Sequence, residues 1–138
     1  MVFLGKNINF VDCNINRNKY KFMEKDFLPE WAYGMDCAVT VVDCECRIIY
    51  MNERSRQTFA SRGGGDLIGH NIMDYHNERS QGIIRRLLTE GGSNAYTISK
   101  EGKRKMIYQT VWHKGDGSLG GLVELSMVIP EEMPHYIR

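Results

Sequence analysis

The sequence predicts an α+β domain, on three observations. Apolar and β-branched runs between residues 37 and 51 pair as a hairpin, a one-sided apolar helix follows residue 77, and three more strand-like runs fill residues 94–129. The chain has 138 residues, 42% hydrophobic and 25% charged, the balance of one soluble globular domain. Eighteen Lys and Arg against seventeen Asp and Glu leave a net charge of +1, so no bulk field is available to hold a nucleic-acid backbone or an anionic membrane. The apolar runs fall far short of the roughly 20 residues that cross a bilayer. Met1-Val2-Phe3-Leu4-Gly5 turns polar at Lys6 without the pattern of a secretory signal, which points to the cytoplasm.

Residues 1–24 are Asn- and Lys-rich and weakly patterned, and are assigned to an N-terminal arm; residues 25–138 form a single domain. Asp26 to Tyr33 places Phe27, Leu28, Trp31 and Ala32 at near-helical spacing, with Pro29 suited to a first turn and Gly34 to a stop. Cys37 to Val42 and Arg47 to Met51 are the hairpin strands, separated by Asp43-Cys44-Glu45-Cys46. Asn52 follows directly and is placed to cap a helix running from Glu53 towards Ala60.

Twelve of the 14 glycines lie beyond Arg62, so the tight connections concentrate there. Asp66-Leu67-Ile68-Gly69 and Asn71-Ile72-Met73-Asp74 are expected as single helical turns. Asn77 caps the longer helix, Ile83, Ile84, Leu87 and Leu88 form its apolar stripe, and Gly91 ends it. The last strands are Asn94 to Lys100, Lys103 to His113 and Leu119 to Ile129, an antiparallel meander. Parity puts Met106, Tyr108 and Trp112 on one face of the middle strand and Ile107 and Val111 on the other. Both faces are therefore largely apolar: one takes the helices, and the other needs a cover, supplied by the Phe27/Leu28/Trp31 helix or by a second copy of the chain.

The four cysteines, Cys13, Cys37, Cys44 and Cys46, are expected reduced, and Cys44-x-Cys46 lacks the spacer of a zinc knuckle, so no metal site is assigned. No Ser/His/Asp order, phosphate loop or metalloprotease helix is present, and neither Cys44 nor Cys46 has surroundings that would activate a thiol, so no catalytic residue is assigned and the chain is expected not to be an enzyme.

The order of elements resembles a PAS domain over roughly residues 36–130. Ala38-Val39-Thr40-Val41-Val42-Asp43 followed by Arg47-Ile48-Ile49-Tyr50-Met51-Asn52 is similar to the family's opening hairpin. Asp66-Leu67-Ile68-Gly69 is similar to the segment before its long helix, and Gly120-Gly121-Leu122-Val123-Glu124 to the start of its last strand. Cys46 stands where the family usually has a turn glycine, and a Pro-flanked tail from Pro130 replaces the usual coiled-coil linker. The resemblance implies a five-stranded antiparallel sheet with helices on one face enclosing a small cavity, used for sensing a small molecule and for homodimer formation in signal transduction or the regulation of transcription. It implies a stand-alone module that passes its signal to a separate downstream protein.

The fold alone does not name a ligand. The cavity candidates are Met51, Met73, Tyr75, Tyr96, Tyr108, Gln109, Trp112 and Met127, aromatic, polar and thioether side chains that also suit an ordinary core. A photochemical flavin needs a cysteine on the first helix after the hairpin, where this chain has Ser55-Arg56-Gln57-Thr58-Phe59. Haem needs an axial ligand, for which His76 beside Tyr75 is the candidate, with His70 second and His113 and His135 less suited. The plainer account of His76 is a loop histidine that hydrogen-bonds the helix start near Asp74 and Asn77. A ligand-free interaction module, its cavity filled by its own side chains, is the remaining alternative.

Overall fold

The computed structural model describes residues 30–138. The arm, Phe27 and Leu28 lie outside the described residues. Helix α1 is Glu30–Gly34, and the hairpin strands are β1 (Ala38–Asp43) and β2 (Ile48–Met51). Helix α2 (Glu53–Thr58) is followed by three single 3-10 turns at Ala60–Arg62, Gly64–Leu67 and Ile72–Tyr75, then by α3 (Glu78–Glu90). Strands β3 (Ser93–Lys100), β4 (Lys103–His113) and β5 (Leu119–Ile129) complete the chain.

The capping residues act as their chemistry requires. Asn52 Oδ1 accepts from Ser55 N and Asn77 Oδ1 from Ser80 N, both at 2.9 Å, so each opens a helix by satisfying a free backbone donor. Gly91, at φ 78°, ends α3 with its N–H on the Leu87 carbonyl. Cys46 takes φ 63° in the β1–β2 turn, a left-handed position at the site that the resemblance assigns to glycine. Its side chain is nonetheless buried in the core cluster with Val42, Ile48 and Ile72.

The sheet order is β2-β1-β5-β4-β3, with every described pair antiparallel. The last strand therefore lies at the centre and joins the hairpin to the meander. Residues paired across strands share a face, so the register fixes rows that run across the sheet. The helix-covered, inner face carries Val42, Leu122 and Val111 in one row, and Thr40, Glu124, Gln109 and Asn94 in the next. Ala38, Ser126, Ile107 and Tyr96 form the third row, followed by Val128, Lys105 and Ile98. Ile84 and Leu87 of α3 are fully buried against the first row, together with Met51 of β2. Packing of this apolar stripe is the main source of cohesion; each such side chain taken from water contributes about 1.5–3 kcal/mol. The outer face carries Val39, Val41, Val123, Leu125, Met106 and Tyr108.

Candidate functional site

The second inner-face row is the unusual one, because it places a carboxylate and two amides under the helices. Asn94 Nδ2 donates to Gln109 Oε1 at 2.9 Å, and Gln109 Nε2 donates to Glu124 Oε2 at 2.8 Å. The same Glu124 oxygen faces His76 Nε2 at 3.8 Å, an ion-pair distance, with the two side chains only 16% and 12% exposed. At the far side of the ring, His76 Nδ1 lies 2.9 Å from the Ile72 carbonyl. A carbonyl only accepts, so Nδ1 carries a proton in both charge states and Nε2 is the atom that titrates. At the β1 end of the row, Thr40 Oγ1 and Ser55 Oγ of α2 share a hydrogen bond of 2.6 Å. One row thus ties β1, β5, β4 and β3 to α2 and to the turn before α3.

The loop holding His76 is itself pinned. Gln81, in the first turn of α3, donates to the carbonyls of both Met73 and His76, at 3.0 and 2.9 Å. Tyr75 Oη lies 3.2 Å from His70 Nδ1, and the Arg62 guanidinium stacks 6.0 Å from the Tyr75 ring centre. The imidazole therefore meets Glu124 in a fixed orientation.

Electrostatics follow from that geometry. The Glu124 carboxylate facing Nε2 raises the pKa of His76 above its usual value; burial opposes this, the Ile72 carbonyl supports it, and Arg62 weakens it. Burial, and then the charge of Glu124, push the Tyr96 phenol upward, so it stays neutral throughout the range in which His76 titrates. A histidine whose folded pKa lies above its unfolded value of about 6.5 contributes its full stabilisation below that pH and loses it as pH rises through the folded value. Wild-type stability, measured by urea unfolding, is therefore expected to fall from pH 6 to pH 8.5. This fall should be smaller in Glu124→Gln, where the imidazolium has no carboxylate; an unchanged slope contradicts the pairing.

Haem ligation at His76 does not fit these residues. An iron bound to Nε2 would have to stand between the imidazole and Glu124, across a gap of 3.8 Å, with the macrocycle running through the Glu124–Gln109–Asn94 chain. His70 is engaged with Tyr75, and His113 and His135 are exposed.

The cavity candidates divide by face. Gln109 and Tyr96 stand on the inner face, Met51 is fully buried at the other end of the sheet, paired with Thr40, and Met73 and Tyr75 pack against the core from the turn before α3. Tyr108 and Met127 have the opposite parity and stand on the outer face, although Met127 also contributes to the lining of the groove between the sheet and α2. Trp112 is spent on the sheet: its ring lies against Gly120, and its Nε1 donates to the Val42 carbonyl at 3.0 Å. The structure therefore does not bring these three together with Gln109. The reason is period two, which forbids neighbours Tyr108 and Gln109 from lining one cavity. Glu124, Asn94, Thr40 and Ser55 are the members that sequence reasoning missed. A charged residue between Val123 and Leu125 was the available signal for the first; nothing local marks the others.

Beyond the third row the inner face opens into a groove of about 480 Å³ between the sheet and α2, within the ~300–1,000 Å³ typical of small-molecule sites. Arg54, Gln57 and Thr58 of α2 form one wall, and Lys100, Lys103 and Lys105 project from the ends of β3 and β4. Arg54 pairs with Asp36 at the rim.

No family model matches the chain, and no curated protein matches it. Solved structures do. The PAS domain of Bordetella pertussis BvgS is 17% identical, with a TM-score of 0.54 over 83% of this chain and 88% of that one. The Vibrio cholerae Aer2 receptor, described as a dual PAS-heme oxygen sensor, is 16% identical, with a TM-score of 0.53 over 72% of this chain and 99% of that one. The PAS domain of the histidine kinase ThkA is 15% identical, with a TM-score of 0.55 over 67% of this chain and 99% of that one. This chain has a PAS fold. The PAS elements named by the resemblance fall where the sequence put them: the opening hairpin is β1–β2, the L-I-G segment precedes α3, and Gly120-Gly121 opens β5. Among the described residues, no helix is long and apolar enough to cross a membrane.

Proposed function

We propose that the chain is a non-enzymatic PAS sensory module that takes a small molecule on the inner face of its sheet and passes the event to a partner protein. The observation that carries this reading is the buried polar row. A carboxylate held at low exposure by one histidine and by the Gln109 amide, itself bonded to Asn94, is costly to assemble unless every member is satisfied, and here the row spans four strands and meets both flanking helical segments. A ligand seated beside the row would bias one arrangement of Gln109, Glu124 and His76 over another, shifting the entry of α3 relative to the sheet. PAS relatives described as sensors, among them an oxygen sensor and a histidine-kinase domain, are consistent with such a role.

Native mass spectrometry of the full chain, purified without denaturation, tests the reading. A stoichiometric small-molecule adduct that is lost in Gln109→Leu is the expected result. A chain of bare mass that also fails to retain any member of a metabolite mixture overturns it. That outcome would favour the ligand-free interaction module, for which the fully buried Met51, Ile84, Leu87 and Leu122 speak, since these side chains fill the helix side themselves.

The output is proposed to run through the outer face, as a homodimer. Val39, Val41, Val123 and Leu125 make that face apolar, and Trp31 of α1 is 70% exposed. Light scattering of the full chain is expected to give twice the monomer mass, and Trp31→Glu to shift the population to monomer. A dimer that survives the substitution unchanged removes α1 from the interface.

A further inference from the structure

The groove at the end of the inner face has a chemistry of its own. Four cations, Arg54, Lys100, Lys103 and Lys105, line it against two carboxylates, Asp36 and Glu101. Asp36 is already paired with Arg54. Lys100 and Lys103 face each other directly across the β3–β4 ladder, and Lys105 stands one row further in on the same face. Like charges directly opposite in a sheet are destabilising, and none of the three lysines has a carboxylate within ion-pair distance among the described residues.

Val128 lines the groove beside the lysines, and further apolar side chains continue the same face. Ile98 and Val128 flank Lys105 in the same row, at 38% and 57% exposure, and Tyr96 and Ile107 form the row behind it. Rows on one face are roughly 7 Å apart, so about 14 Å separate the Lys105 row from the Gln109–Glu124 row. Along this face the residues thus run from the lysines at the groove, past apolar side chains, to the polar row.

We propose that this groove binds a free amphipathic anion, a carboxylate or phosphate monoester carrying a hydrocarbon body, with its head on Lys100, Lys103 and Lys105 and its body on Ile98, Val128 and Tyr96. The inference rests on the small-molecule reading above and names the ligand class. A groove walled on two sides by α2 and the sheet admits a single extended molecule and excludes a membrane surface. Both components are needed: lysine ammonium groups supply charge without fixed geometry, so carboxylate and phosphate heads are both accepted, and burial of the hydrocarbon supplies the rest of the affinity.

The test is an NMR titration of the full chain with octyl phosphate, octanoate, inorganic phosphate and octylamine. Octyl phosphate and octanoate are expected to shift the amides of residues 98–105 and 126–128 saturably, inorganic phosphate to bind at least tenfold more weakly, and octylamine not to bind there. Lys103→Glu with Lys105→Glu is expected to weaken octyl phosphate at least tenfold, and Val128→Ser to weaken it severalfold while leaving inorganic phosphate unchanged. Glu101→Asn, which removes a groove carboxylate from an exposed turn position, is expected to tighten it severalfold. Octylamine binding as well as octyl phosphate, or equal binding of inorganic and octyl phosphate, overturns the proposed class. If no anion binds while native mass spectrometry still finds an adduct, the ligand class is wrong and the sensor reading stands; if neither binds, both fall.

Discussion

Gly121→Ala is expected to destabilise the protein by about 4 kcal/mol, the sum of backbone strain and overpacking at a site that cannot relax. Gly121 sits at φ 149°, a conformation that side-chain-bearing residues rarely adopt, at the register position where Asp43 of β1 and Trp112 of β4 flank β5. A Cβ there would overlap the Val42 carbonyl oxygen and the backbone of Asp43. Neither is the tip of a flexible side chain, so relief requires β1 to move off β5. That movement also separates Thr40 from Glu124. Gly82→Ala is the control: it lies in α3 with open space around it, and is expected to stabilise by about 0.5–1 kcal/mol. Urea unfolding of the two variants measures both; a Gly121→Ala protein within 1 kcal/mol of wild type would show that β1 and β5 are not held in this register.

Asn52→Ala is expected to cost a similar amount, again about 4 kcal/mol, for a different reason. The side chain is fully buried and makes four hydrogen bonds. Its Oδ1 accepts from Val39 N and Ser55 N, both at 2.9 Å, and its Nδ2 donates to the Cys37 carbonyl at 2.7 Å and the Ala32 carbonyl at 3.2 Å. Truncation strands two backbone donors and a buried carbonyl, each costing about 1–3 kcal/mol. It also unties α1 and the start of β1 from α2. Asn52→Asp separates the two halves of the role: it keeps the acceptor of the helix cap but turns a carboxylate oxygen towards the Cys37 carbonyl. The variant is expected to be as unstable as the alanine at pH 7 and to recover in part as pH falls and the carboxyl protonates. Thermal unfolding at pH 7 and pH 4.5 reads this, and an Asp variant as stable as wild type at pH 7 would leave Asn52 a helix cap alone.

Asn52 shows how far local chemistry reaches. Its place as an N-cap is legible from its position between an apolar run and a helix-compatible stretch, because capping involves neighbours three residues away. Its bonds to Val39, Cys37 and Ala32 are not legible, because they depend on how the hairpin returns past α1. The strands behave likewise. β4 is expected at Lys103 to His113 and is found there, since turn residues at Glu101-Gly102 and Lys114 to Gly117 bound it on both sides. Which of its apolar faces meets the helices is set by the rows it shares with β5. The candidate list accordingly mixed Tyr108 with Gln109, though only Gln109 belongs to the inner face.

The two halves of the candidate site show the same division. Gln109 and His76 stand out in the sequence as polar residues near apolar ones. Glu124, which connects them, falls within an ordinary-looking strand. Only the placement of β5 between β1 and β4 sets its carboxylate beside Gln109 and under His76.

The sequence alone determined the order and approximate limits of the five strands, α2 and α3, because caps, turn glycines and periodicity act over a few residues; the separate 3-10 turn at Ala60–Arg62 was not legible in it. The tertiary structure decided the strand order, the face each strand turns inward, the buried polar row and the basic groove. These depend on contacts between residues far apart in the chain, and a two-residue period records that a strand has two faces without recording which one the core takes.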